Sequence, residues 1–199
     1  MTGHEARLRE YYDREMAERD GRPLGEQREG RVAGFAALCT EQGLASVLEV
    51  GCGAGRDGRI LAAAGLGYTG VDLSRAAVEL CRAHGLAAQQ ASALDLPFDD
   101  DVFDAAWTMS TLMHLEGDDI VTALAEVRRV VRRGGLLEVG VWGGDVAREW
   151  VDEGGRYFQS RTDAGLLALL AGVGEVTAFD TWSRFDDGGH YQWARVTLA

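Results

Sequence analysis

The chain is 199 residues long and carries 20 Lys and Arg against 32 Asp and Glu, a formal net charge of -12 and a sequence pI near 4.7. With 46% hydrophobic and 26% charged residues it has the composition of an ordinary globular domain that buries roughly 70% of its unfolded surface, which excludes a disordered chain and a stapled mini-protein. The acidic field repels a nucleic-acid backbone, no run reaches the roughly 18 apolar residues of a membrane span, and residues 1–5 show neither the basic start nor the apolar core of a secretory leader, so a cytoplasmic protein without nucleic-acid or membrane partners is expected.

Residues 1–44 read as a helical cap, with helices over 5–19 and 26–40 separated by Gly21-Arg22-Pro23-Leu24-Gly25. Their arginines alternate with Glu5, Glu10, Asp13, Glu15, Glu18, Asp20, Glu26 and Glu29, the pattern of a solvated face with internal ion pairs. From residue 45 to 199 short apolar runs alternate with helical-period segments, the signature of a largely parallel sheet covered on both faces. A strand over 46–50 leads through a glycine-rich turn into a helix ended by Gly65 and Gly67. A strand over 68–71 precedes a helix over 75–84, with Ser74 as its N-cap and Gly85 as its stop. There follow a weakly signalled strand over 87–91, a strong one over 103–109, and a helix begun by Asp118 or Asp119 and stopped by Gly134-Gly135. A strand over 136–141, a helix over 163–171 and strand-like runs over 175–181 and 191–198 complete the series. The connection over 183–190 is short enough for an antiparallel hairpin. Arg128-Arg129 and Arg132-Arg133 stand where cations complement a helix C-terminus. Cys39, Cys52 and Cys81 are far apart and form no C-x-x-C pair, so neither a disulfide framework nor a metal site is suggested. One domain is expected.

The chemistry-bearing stretch is Val47-Leu48-Glu49-Val50-Gly51-Cys52-Gly53-Ala54-Gly55, which runs from strand into turn and helix and sets glycines where backbone turns sharply and approaches a ligand. Its spacing is G-x-G-x-G; the dinucleotide fingerprint G-x-G-x-x-G requires glycine where Arg56 stands. About twenty residues further on, Asp72 in Gly70-Val71-Asp72-Leu73-Ser74 lies where an acid accepts hydrogen bonds from ribose hydroxyls.

Glu-Val-Gly-Cys-Gly-Ala-Gly together with Gly-Val-Asp-Leu-Ser resembles the class I S-adenosylmethionine-dependent methyltransferases. Leu96-Pro97-Phe98 followed by Phe103-Asp104, and the stretch from Arg128 to Leu137, are similar to further family segments, with Arg133 standing where the family usually has proline. The resemblance covers roughly residues 45–142. It implies an α/β, Rossmann-like doubly wound sheet of seven strands, mostly parallel with the last antiparallel, under an N-terminal helical lid. It also implies S-adenosylmethionine as cofactor, with S-adenosylhomocysteine as product. By the same resemblance Gly51, Cys52 and Gly53 line the methionine moiety, Asp72 holds ribose, Leu73 packs on adenine, and Met109 and Ser110 border the methyl-transfer site. Many relatives carry Gly-Asp-Ala before the Leu-Pro-Phe run, with the Asp on the adenine amino group. Here Ala91-Ser92-Ala93 stands there, leaving Ser92 and Ala93 as adenine contacts and Ser92 as a weaker acceptor than a carboxylate.

A sulfonium is already a good leaving group, so few residues are needed beyond those that align an acceptor and remove its proton. His114, in Ser110-Thr111-Leu112-Met113-His114-Leu115, is the candidate base because its ordinary pKa lies near working pH, although a histidine in an apolar segment equally suits a structural role. Trp142 and Tyr157 sit on segments that face the acceptor in relatives, and Tyr11 and Tyr12 on the first helix can close over it. Neither an Asn-Pro-Pro-Tyr run after the fourth strand nor the acid set of magnesium-dependent catechol-type enzymes is evident, which points to metal-free methylation of O, N or C in a small molecule. A noncatalytic S-adenosylmethionine-binding protein and a nicotinamide-dependent oxidoreductase stay open as alternatives.

Overall fold

The computed structural model describes residues 3–183 and 190–199. Its helices are α1 (Gly3–Asp20), α2 (Glu26–Glu41), α3 (Arg56–Ala63), α4 (Arg75–Ala83), α5 (Asp119–Val130) and α6 (Asp163–Ala171). Its strands are β1 (Ser46–Val50), β2 (Gly67–Asp72), β3 (Ala88–Gln90), β4 (Phe103–Met109), β5 (Val131–Trp142), β6 (Arg148–Val151), β7 (Tyr157–Ser160), β8 (Gly174–Ser183) and β9 (His190–Leu198). Seven strands pair in the order β3-β2-β1-β4-β5-β9-β8. The pairs from β3 to β5 are parallel, and β9 is antiparallel to both of its neighbours. This is the Rossmann-like sheet expected from the sequence.

Strands buried on both faces require apolar residues at successive positions, and β1 and β4 supply them. Val47, Ala105 and Trp107 pack with Phe35, Leu61 and Cys81 from α2, α3 and α4. Their neighbours Leu48 and Ala106 pack with Leu124, Val127, Leu166 and Leu170 from α5 and α6. Helix starts follow local chemistry: the Ser74 hydroxyl accepts from the Ala77 N–H, and Thr162 does the same for Gly165 at α6.

Three features differ from the sequence expectations. Helix α5 ends at Val130, ahead of Gly134-Gly135, because Val131 already pairs with Phe103 in the sheet; Gly134, at φ +76°, instead serves an irregularity within β5. Asp118 occupies the N-cap position of α5 but makes no side-chain capping bond. Strands β6 and β7 form a separate antiparallel hairpin. Its turn is closed by Asp152, whose carboxylate accepts from the Arg156 backbone and guanidinium. The arginines at and just beyond the end of α5 do more than complement a helix end. Arg129 donates to the carbonyls of Leu96 and Phe98 at 2.9 and 2.7 Å, and Arg132 pairs with Asp104 at 2.6 Å. Strand ends Ser183 and His190 are paired, and the connection between them falls outside the described residues.

Candidate active site

Strand order reverses between β1 and β4, so a crevice opens beyond their carboxyl ends, where doubly wound sheets bind ligands. The parallel register sets Val50 beside Val71, and the Gly51 and Cys52 N–H groups donate to the Val71 carbonyl at 2.8 and 3.0 Å. Gly51 has φ +80°, and a Cβ there would collide with the Thr111 side chain; only glycine satisfies both demands. The turn brings Gly53 to Asp72, whose two carboxylate oxygens accept from the N–H groups of Gly53 and Ser74 at 2.9 and 2.8 Å. Burial raises the Asp72 pKa while those backbone bonds oppose the rise. Each oxygen keeps a second lone pair for a ligand.

These residues line a cleft enclosing about 1040 Å³ of non-atom space, open mouth included. Glu49, Gly51, Cys52, Gly53, Asp72, Leu73, Ser92, Ala93, Met109, Ser110 and His114 are all on its walls. Helix α1 roofs it with Glu5, Leu8, Tyr12, Met16 and Arg19. The roof is fastened at several points. The His4 ring donates to the His114 carbonyl at 2.6 Å, and Asp13 accepts from the Ser74 hydroxyl and the Ala76 N–H at 2.7 and 3.1 Å. The Ser92 hydroxyl donates to the buried Glu5 carboxylate and accepts from the Leu94 N–H.

A buried polar network supports the floor. Asp57 takes two donors of Arg28 and the Trp107 indole N–H, the last at 2.7 Å. Beside it Glu49 accepts from the Tyr68 hydroxyl at 2.6 Å, and burial followed by the Asp57 charge pushes the Glu49 carboxyl well above its usual range. The Cys52 thiol lies 3.6 Å from that of Cys81; this contact and burial raise its pKa and keep it protonated.

His114 is tied at both ring nitrogens. The Tyr157 carbonyl can only accept, so Nδ1 carries the hydrogen at 2.8 Å, and Nε2 accepts from the Tyr12 hydroxyl at 2.8 Å. Burial pushes its pKa down to about 4. Tyr12 therefore reaches the cleft, but Tyr11, Trp142 and Tyr157 do not line it. Tyr11 lies under the Arg156 guanidinium beside Gly154, Trp142 stacks with Trp150 and Phe158, and Tyr157 presents its carbonyl to His114 and its ring to His4. The unforeseen β6–β7 hairpin draws all three toward its own packing.

Among the cleft residues that the sequence does not mark as ligand contacts are the charged Glu5, Arg19, Arg28 and Glu49. The Nε of Arg19 is buried and has no hydrogen-bond partner among the described residues, although the guanidinium lies 5.0 Å over the Tyr12 ring. Glu49 had a signal, since it precedes the glycine turn by two residues. The others lie on helices whose charge pattern reads as solvated.

Residues 48–139 match the family model described as a methyltransferase domain. Over that stretch, a little under half of the chain, the protein is similar to S-adenosylmethionine-dependent methyltransferases. A 102-residue stretch is 37% identical to the O-methyltransferase resE of Aspergillus sclerotiorum, covering 47% of this chain and 38% of that protein. The chain spans less than half the length of the curated relatives it matches. Over its fold it resembles the Burkholderia thailandensis 1,6-didemethyltoxoflavin-N1-methyltransferase, crystallised with 1,6-didemethyltoxoflavin and S-adenosylhomocysteine. That match has a TM-score of 0.77 and 22% identity, and covers 98% of this chain and 88% of the other. The N-methyltransferase NodS of Bradyrhizobium japonicum, in complex with S-adenosylhomocysteine, gives a TM-score of 0.74 at 17% identity over 96% and 98% of the two chains.

Proposed function

We propose that the protein is a metal-independent, S-adenosylmethionine-dependent methyltransferase of a small molecule, working as one domain in the cytoplasm without nucleic-acid or membrane partners. The observation that carries this reading is Asp72 held by the Gly53 and Ser74 N–H groups at the mouth of the glycine turn. Its remaining lone pairs face the cleft, where the free hydroxyls of a ribose can donate to them. The cofactor, once bound, supplies a methyl group on a sulfonium leaving group.

This chain's residues bind and orient. Asp72 takes the ribose hydroxyls, and Leu73 with Ala93 flanks the adenine. Gly51, Cys52 and Gly53 let backbone approach the methionine portion, Glu49 faces its ammonium, and Arg19, with an unspent buried donor, faces its carboxylate. Ser92 spends its hydroxyl hydrogen on Glu5, so the adenine amino group meets a carboxylate delivered by α1 where the family more often has one after β3. His114 serves as a positioning residue: with Nε2 engaged by Tyr12 it fixes the roof over the cleft. Met109 and Ser110 border the point of transfer.

Calorimetric titration with S-adenosylmethionine, S-adenosylhomocysteine and NAD tests the reading. Micromolar binding of the first two, about tenfold or more weaker in Asp72→Ala and measurably weaker in Glu5→Gln, is expected from the loss of charged hydrogen bonds. A preference for NAD, or no binding of S-adenosylhomocysteine, overturns it.

A further inference from the structure

A second cavity, about 900 Å³ of non-atom space, adjoins the cofactor cleft and shares Arg28, Arg56, Met109 and Ser110 with it. Its other walls are the turn from Pro23 into α2, with Arg31, and the tips of β8 and β9, with Trp182, Ser183 and Tyr191. Two properties set it apart. One wall is aromatic: Trp182 and Tyr191 have ring centroids 5.0 Å apart. Another part of the wall is cationic, with Arg28, Arg31 and Arg56, in a chain whose net charge is -12.

The charges on that wall are unequally compensated. Arg28 is paired with buried Asp57, and Arg31 with Asp180 while lying over the Trp182 and Trp193 rings. Arg56 is half-buried at the seam between the cavities. It gives Nη1 to the carbonyls of Arg22 and Pro23 at 2.9 and 3.3 Å. Among the described residues no carboxylate hydrogen-bonds it, and the one acid that these residues place on the cavity wall, Glu26, is exposed at the start of α2. Burial and the neighbouring Arg28 depress its pKa, the mark of a cation short of counter-charge. At the same seam Ser110 adopts φ +59°, uncommon for a residue with a side chain, and its hydroxyl lies 2.9 Å from that of Tyr191. Such strain persists where surrounding structure enforces it and clusters at functional sites.

We propose that this second cavity holds the methyl acceptor and that the acceptor is a planar, hydroxyl-bearing organic acid, with its carboxylate on Arg56, its ring against Trp182 and Tyr191, and its hydroxyl at Ser110. The inference rests on the methyl-transfer reading above. The acceptor oxygen forms the new O–CH3 bond as the C–S bond breaks, and the bonding pair stays on sulfur, giving the neutral thioether of S-adenosylhomocysteine. The hydroxyl proton leaves through the Ser110 and Tyr191 hydroxyls to water. An anion paired with Arg56 also offsets the repulsion between this arginine and the cationic sulfonium.

The test is calorimetry on protein saturated with S-adenosylhomocysteine, titrated with 4-hydroxybenzoate, 4-hydroxycinnamate and the neutral amide of each. At least one acid should bind about tenfold or more tightly than its amide, the ratio expected of a charge-assisted hydrogen bond. Arg56→Gln should erase that preference and Arg56→Lys should keep part of it. Equal affinity for acid and amide, or no binding of either acid, overturns the proposal. So does an Arg56→Gln loss that falls on S-adenosylhomocysteine in equal measure, which assigns the arginine to the cofactor. Failure of the wild-type protein to bind S-adenosylhomocysteine at all is a separate result and sinks the methyl-transfer reading itself.

Discussion

Lowering the pH should unfasten the roof of the cleft through His114. The ring is 5% exposed, donates from Nδ1 to the Tyr157 carbonyl and accepts at Nε2 from the Tyr12 hydroxyl, so a second proton puts an unpaired charge in a buried site and forces the Tyr12 bond to reverse its direction. Its pKa is 6.5 in an ordinary setting and about 4 here. The sign follows from the direction: between those values the unfolded chain takes up a proton that the folded chain refuses. The contribution of His114 is therefore complete above pH 6.5, is lost as the pH falls toward 4, and is flat below. The full span corresponds to about 3 kcal/mol at 1.36 kcal/mol per decade. Urea unfolding at about pH 7 and about pH 4.5, for the native protein and His114→Gln, isolates this term, because the carboxylates titrate alike in both. The native protein should lose about 2 to 3 kcal/mol more than the variant across that interval. Parallel losses would refute the reasoning. The same geometry expects cofactor affinity to show no titration near 6.5, since the imidazole is neutral on both sides of it.

Two further substitutions probe the floor of the cleft. Gly58→Ala lies inside α3, where helix propensity alone favours alanine by about 1 kcal/mol. Its Cβ would lie 2.5 Å from Cζ of Tyr68, the residue that holds Glu49. The variant should be destabilised by about 1 to 3 kcal/mol as the ring is forced aside, and a raised melting temperature would show that the ring yields freely. Asp57→Asn strips the counter-charge from Arg28 and weakens the acceptor of the Trp107 N–H at a site 1% exposed. Denaturant unfolding should register a loss of about 3 to 5 kcal/mol. Arg75→Gln, at an exposed ion pair within α4, should leave the denaturant midpoint unchanged, because solvent screens the pair.

Much of the sheet was legible because the signals that make it are local. Residues 103–109 and 163–171 match β4 and α6 to the residue, since β-rich runs and a Thr N-cap act within a few positions. The β6–β7 hairpin was not legible. Arg148-Glu149-Trp150-Val151 lacks an apolar alternation, and what orders the hairpin is the stack of Trp150 and Phe158 on Trp142, a tertiary contact that no short window contains. The stop of α5 was misplaced for a related reason: Gly134-Gly135 is the stronger local breaker, but pairing of Val131 with Phe103, 28 positions earlier in the chain, takes the backbone into the sheet first.

The candidate site divides along the same line. Its floor comes from the glycine turn and Asp72, which lie within about twenty residues of one another and carry a readable spacing. Its roof comes from α1 through contacts far apart in sequence: Glu5 to Ser92 spans 87 residues, Tyr12 to His114 spans 102, and His4 to the His114 carbonyl spans 110. A helix whose acids and bases alternate looks solvated in isolation, and most of α1 is. The exceptions are the residues that turn inward at helical spacing, with His4, Glu5, Leu8 and Met16 buried and Tyr12 between them on the cleft wall. A purely apolar stripe would have announced a packing face. A stripe that includes a histidine, a glutamate and a tyrosine reveals itself only when a core presents Ser92 and His114 opposite, which is why the polar contacts of the roof, unlike the glycines of the floor, required the folded chain.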